Sequence, residues 1–148
     1  MKAIGDLTEK GSVVRALERE KAWPDEKSFP ATLEKKVFIK HLKGPLFFGN
    51  TSGFQQLSLQ IPPTAHTVIL RLGRMQYMDQ SGLYAMEEVL RGLAQNGVNI
   101  LFVDLLDQPR YLMEGIDIIP ELVPEAQIFK TFGECTRWVR ENILVAKG

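Results

Sequence analysis

The stretch Val68-Ile-Leu-Arg-Leu-Gly-Arg-Met-Gln-Tyr-Met-Asp-Gln-Ser-Gly-Leu-Tyr-Ala-Met86 decides the fold. It opens as an apolar run of strand length and ends with apolar residues at helical spacing, and the polar turn Asp79-Gln80-Ser81-Gly82 joins the two halves. Asp79 and Ser81 are both residue types that cap helix N-termini, because their side-chain oxygens accept from backbone N–H groups that have no partner in the first turn. Gly82, without a Cβ, lets another backbone come close. A serine hydroxyl in this place faces the positive end of the helix dipole, where an anion or an attached phosphate is favourably placed. Ordinary capping explains the same residues with no further function.

Working outward, Leu83, Met86, Leu90 and Leu93 recur at three- and four-residue steps, and Asn96-Gly97 ends that helix. Val98 to Asp104 is a nearly continuous apolar run, the pattern of a central strand covered on both faces and parallel to its predecessor. Upstream, Val37 to Leu42 and Pro45 to Phe48 read as two strands joined at Lys43-Gly44, a tight turn that predicts an antiparallel hairpin. Asn50 or Thr51 caps a helix carrying Phe54, Leu57 and Ile61, which Pro62-Pro63 stops. Downstream, Asp107-Gln-Pro109 starts a short helix through Tyr111, Leu112 and Met113 that Gly115 closes, a loop runs from Ile116 to Pro124, and Gln127-Ile-Phe129 adds a last short strand. Thr131 and Glu134 form a capping box before a final helix with Cys135, Trp138, Val139 and Ile143 as its inner stripe. The prediction is an α/β fold: a mixed β-sheet, with an N-terminal antiparallel hairpin and then parallel strands, and four to five helices packed on it.

The chain has 148 residues, one domain's worth, enough to bury about two thirds of its unfolded surface. Its 18 basic and 18 acidic residues cancel, so no global field draws it to nucleic acid. Charge is nevertheless segregated, since 15 of the first 36 residues are Asp, Glu, Lys or Arg. Residues 1–36 therefore read as a charged linker or arm, and 37–148 as the folded domain. Val13, Val14 and Leu17 suit one short amphipathic helix in the arm, which Trp23-Pro24-Asp25 and Phe29-Pro30 interrupt. No apolar run approaches the roughly 18 to 20 residues that span a bilayer, and Met1-Lys-Ala-Ile-Gly-Asp lacks the apolar centre of a signal peptide. The sequence by itself reads as a soluble, cytosolic piece.

Strand, Met78-Asp-Gln-Ser-Gly-Leu83 and apolar-striped helix together resemble the STAS domain family, which covers sulfate transporter tails and anti-sigma factor antagonists. The resemblance spans Lys36 to Asn142. Gly44-Pro-Leu-Phe-Phe-Gly-Asn50 is similar to a stretch that opens the STAS domains of SulP-class anion transporters, and Met1-Lys-Ala-Ile-Gly-Asp-Leu-Thr-Glu9 to the junction after their last membrane helix. The resemblance implies a cytoplasmic C-terminal regulatory domain of a SulP-type sulfate or related anion transporter in an inner or plasma membrane, with the transporter's own transmembrane domain as partner. It also implies possible partners for relatives: acyl carrier protein, a kinase or another regulatory protein, a nucleotide, or a second copy in a homodimer. By resemblance, Ser81 falls on the serine that a kinase phosphorylates in the antagonists and Asp79 on that motif's aspartate. Gln80 stands where many antagonists carry a second small hydroxyl residue. The alternative is a stand-alone antagonist acting by serine phosphorylation and partner switching.

Enzymatic readings have little to work with. A nucleophilic serine needs a base, and His41 and His66 sit in or at the start of predicted strands, away from Ser81. No phosphate-loop motif exists, the lone Cys135 offers neither a disulfide nor a zinc set, and no catalytic residue, cofactor or metal is expected. Asp79, Asp104 and Asp107 could gather at one sheet end as magnesium ligands, with loop solvation as the plainer role. Asn50-Thr-Ser52 is a glycosylation sequon that helix capping explains. What remains is a regulatory or partner loop of Tyr77, Met78, Asp79, Gln80, Gly82 and Leu83 around Ser81, with Met75, Tyr77 and Met78 as a contact surface. Arg71 and Arg74 stand near it as candidate anion or phosphate contacts.

Overall fold

Strand β2 (Thr67–Arg74) is the axis on which the rest is hung, with every residue from Thr67 to Leu72 buried in the computed structural model. The structure describes residues 22–26, 36–56, 59, 61–62 and 64–144. Among these, four parallel strands lie in the order β1 (Val37–Lys43), β2, β3 (Asn99–Val103) and β4 (Ile128–Phe129). The helices are α1 (Thr51–Gln55), α2 (Gln80–Gln95), α3 (Asp107–Gly115) and α4 (Phe132–Val139), the last continuing in wider turns over Arg140–Leu144.

A strand covered on both faces must be apolar throughout, and its alternating side chains then feed two cores. Val68, Leu70 and Leu72 point into the larger core with Leu83, Met86, Leu90 and Leu93 of α2, while Ile69 joins Val37, Leu101 and Val103 against Cys135 and Val139 of α4. Arg71 is the charged exception on this second face. The helix ends obey the capping logic. Asp79 caps α2, Gly97 at φ +77° turns the chain after it, and the Thr131 hydroxyl accepts from the Glu134 N–H at 3.2 Å to start α4.

The expected N-terminal hairpin does not form. β1 pairs with β2 in parallel, and the segment after it keeps travelling beside the exit of β2: Gly44 N–H donates to the Arg74 carbonyl at 3.0 Å, Leu46 N–H to the Tyr77 carbonyl at 2.9 Å, and Leu46 pairs with Met78. Gly44, at φ +103°, bends the chain without reversing it, and Pro45 has no N–H to offer a returning ladder. The α/β class and the parallel strands stand as expected.

α1 begins after Asn50, and Phe54 and Ile61 are buried as expected, while Leu57 and the Val13 to Leu17 helix lie outside the described residues. In α4, Cys135, Val139 and Ile143 are buried, and Trp138 is half-buried with its ring 6.5 Å from that of Phe129.

Burial pushes the Cys135 thiol up to about 12, against a smaller opposing pull from the Arg71 charge. The thiol is therefore neutral at physiological pH and shielded from reagents. Thiol-specific labelling of Cys135 is expected to follow global unfolding, with no fast phase in the native protein. Leu70→Ala is expected to cost about 2–5 kcal/mol in chemical denaturation, with the transition midpoint falling and its slope unchanged.

Candidate functional site

Asp79 ties two separate stretches of chain to one point. One carboxylate oxygen accepts from the Gly82 N–H at 2.8 Å and caps α2, and the other accepts from the Phe48 N–H at 3.2 Å. Its own N–H donates to the Leu46 carbonyl at 3.2 Å. The Gly44 to Asn50 stretch is thereby bound to the Asp79 to Gly82 turn, and Asn50 shapes it from within by accepting from the Phe47 N–H at 2.9 Å and donating to the Pro45 carbonyl at 2.8 Å. The Asn50 side chain is thus used inside the loop and does not cap α1. From α3, the Gln108 amide accepts from the Met78 N–H and donates to the Met78 carbonyl, both at 2.9 Å. Gly82 is packed so tightly that a Cβ would be driven into the Leu46 carbonyl.

Above this frame lies an exposed aromatic surface. Phe47, Phe48, Tyr77 and Tyr84 are 42%, 77%, 51% and 53% exposed, and Gln80 is exposed with its amide donating to the Tyr84 hydroxyl at 2.9 Å. Ser81 is half-buried in the first turn of α2, and its hydroxyl has no hydrogen-bond partner among the described residues. Of the expected contact residues, Met75, Met78 and Leu83 are in the core and Gly82 is buried. They hold the loop up from beneath, and only Tyr77, Gln80 and the half-buried Asp79 and Ser81 reach solvent.

Arg71 goes elsewhere. It sits on the α4 face of the sheet, while α2 packs on the other. Its guanidinium forks onto Asp25 at 2.6 and 2.8 Å and reaches Glu26 at 2.8 Å. The Glu26 carboxylate is also 2.6 Å from His41 Nε2, and the His41 ring stacks on Trp23 at 4.4 Å. Arg71 lies 4.6 Å from the ring centres of both Trp23 and Phe132, and Arg74 lies 4.4 Å over Trp23. Hydrogen bonding to Arg71 holds the Asp25 carboxyl below its usual range. Burial works against the Arg71 charge, but its bonds to Asp25 and Glu26 outweigh that and raise its affinity for the proton. Neither arginine is thus brought to Ser81.

The remaining candidates part in the same way. His66 Nδ1 lies 3.0 Å from the Thr67 hydroxyl, the Asp104 carboxylate covers Gly73, and Asp107 opens α3. The three aspartates have different tasks, and among the described residues no group of three His, Cys, Asp or Glu is arranged to hold a metal ion.

A family model described as the STAS domain matches residues 29–135. The chain belongs to the STAS domain family. A comparison with curated protein sequences finds no match. Among solved structures, this STAS domain is similar to a sulfate transporter family protein from Wolinella succinogenes (21% identity, 85% of this chain and 97% of that one, TM-score 0.69) and to the STAS domain of a SulP transporter from Vibrio cholerae (20% identity, 93% and 98%, TM-score 0.63). It is also similar to a putative anti-sigma factor antagonist from Thermotoga maritima (16% identity, 70% and 87%, TM-score 0.58). The domain spans only 18% and 21% of the length of two larger transporter chains that it matches. At these identities the likeness establishes the shared fold. The family relation reaches both transporter domains and antagonists.

Two groups of residues escaped the sequence reading. Phe47 and Phe48 are brought to the Asp79 to Gly82 turn by the Phe48 N–H bond to Asp79, and Tyr84 stands three residues after Ser81 on α2. Trp23, Asp25 and Glu26 lie within the segment read as an arm, where the juxtaposition of Trp, Pro and two acids was the available signal.

Asp79→Ala is expected to cost about 1–2 kcal/mol in urea denaturation through loss of the cap, with Asp79→Asn closer to the wild type. Gly82→Ala, which meets rigid backbone, is expected to cost about 1–3 kcal/mol.

Proposed function

We propose that this STAS domain is the regulatory and interaction module of a SulP-type anion transporter, cytoplasmic, with no chemistry of its own. The observation that carries this reading is the binding of Gly44-Pro-Leu-Phe-Phe-Gly-Asn50 onto the Asp79 to Gly82 turn through the two oxygens of Asp79. The SulP-like stretch thereby supplies Phe47 and Phe48 to the same surface as Tyr77 and Tyr84. Exposed aromatic side chains gathered around polar residues are characteristic of protein contact sites. No helix among the described residues is long and apolar enough to cross a membrane, so the membrane-embedded part of such a transporter would be a separate stretch of polypeptide. Residues 1–36 are, in this reading, the junction to it.

Ser81 is the switch in this proposal. Phosphorylation adds about 1.5–2 negative charges beside the Asp79 carboxylate and amid four exposed rings, turning an apolar contact surface into a charged one. The α2 N-terminus favours that charge and Asp79 opposes it. The half-buried serine, whose hydroxyl has no hydrogen-bond partner among the described residues, supports the assignment. The stand-alone antagonist reading rests on this same serine and requires a chain that begins close to Met1.

Sequencing the DNA upstream of the Met1 codon separates the two. In-frame coding for a series of hydrophobic spans is expected, and a stop codon followed directly by a ribosome-binding site and Met1 would overturn the transporter assignment. In the intact transporter, Phe48→Asp paired with Tyr84→Asp is expected to reduce anion uptake severalfold while leaving the melting temperature of the isolated domain unchanged. Uptake equal to wild type would remove the aromatic surface from the proposal. Mass spectrometry after incubation with ATP and a lysate of the native host tests the switch, with phosphate on Ser81 as the expected product.

A further inference from the structure

We propose that Trp23-Pro24-Asp25-Glu26 is a detachable latch: a ligand-like segment of the chain seated in a cradle made by Arg71, Arg74, His41 and Phe132, which leaves and returns as a unit while the α/β domain stays folded. The inference is independent of which protein carries the domain.

The segment folds on itself. The Glu26 N–H donates to the Trp23 carbonyl at 2.8 Å, and the Trp23 N–H donates to the Glu26 carboxylate at 3.2 Å, so a short turn is closed within it. Its grip on the domain is made by side chains: the carboxylate fork on Arg71, the Glu26 to His41 contact, and the Trp23 ring against three cationic or aromatic neighbours. Val37, Ile69, Leu101, Val103, Phe132, Cys135, Val139 and Ile143 form the second core, which takes no member from residues 22–26 and shares Phe132 with the cradle.

Charge explains why such a seat is reversible. Removing one partner of a buried ion pair is normally costly because the other stays buried and alone. Here the segment itself helps to cover Arg71, pairing its guanidinium with Asp25 and Glu26, so its departure opens that charge toward water. The cradle is also matched to its occupant. Two adjacent acids meet Arg71, and beside Asp25 a hollow of about 390 Å³ is lined by Arg137 and Arg140. The cradle therefore recognises an aromatic residue followed closely by paired carboxylates. Tethering gives that recognition a high effective concentration, which suits a weak contact that must open. The seat lies beside Arg71 and His41, toward the carboxyl ends of β1 and β2.

The test uses the full chain with Trp138→Phe, which leaves Trp23 as the single tryptophan. Acrylamide quenching of Trp23 is expected to rise severalfold when Asp25→Asn and Glu26→Gln are introduced together, while the far-UV circular dichroism melt stays within a few degrees. Trp23 equally shielded in the neutralised variant would overturn the proposal, as would exposure that occurs only with loss of the helical signal. Should Trp138→Phe prevent folding, hydrogen exchange on the chain retaining Trp138 gives the same decision. The amides of Trp23 and Glu26 are then expected to exchange as free chain in the neutralised variant, with those of Ile69 and Leu101 still protected. Unchanged protection at Trp23 and Glu26, or its loss throughout, overturns the latch.

Discussion

One carboxylate sets the geometry of the candidate surface. A helix N-terminus leaves several N–H groups without partners, and a single capping oxygen satisfies one of them. Asp79 has a second oxygen, and that oxygen holds the Phe48 N–H, adding to the backbone bonds by which Leu46 already fastens the loop to Tyr77 and Asp79. The bare backbone at Gly82 lets the Leu46 carbonyl come in beside it. These two contacts bring the loop that carries Phe47 and Phe48 to the start of the helix that carries Tyr84. The surface is a by-product of capping, built on an interaction the helix needed in any case.

The two faces of the sheet have been put to different uses by the alternation of β2. Even-numbered residues from Val68 to Leu72 build the core beneath α2, on the side where Ser81 emerges. The odd-numbered Ile69 builds the other core, and Arg71, two residues on, carries a charge to the rim of that core against the Phe132 ring. Trp23, Asp25 and Glu26 supply the cover and the counter-charge together.

Periodicity made most of this legible. The parallel central strands, the long amphipathic α2, the α3 start at Asp107 and the Thr131 cap each depend on residues close together in the chain, and each was readable there. The Gly44 bend was readable as a bend, but its outcome depended on whether hydrogen-bond partners waited ahead or behind. Carbonyls of Arg74 and Tyr77, some thirty residues further on, decided that. The same limit hid the placement of Phe48, whose N–H meets an Asp79 oxygen across a long stretch of chain. Arg71 showed the limit most clearly. Its proximity in sequence to Ser81 suggested a shared site, yet one step of strand alternation sends it to the opposite face.

The close approach at Gly82 also bears on what variation among relatives would mean. A residue confined by the backbone behind it is held constant by packing, whatever the domain associates with, so invariance there is silent about recognition. Positions such as 47, 48, 80 and 84, whose side chains the interior does not constrain, are the ones free to diverge with each new associate. The history of this surface would be recorded in its mutable ring, and the glycine at its centre would record only that the fold survived.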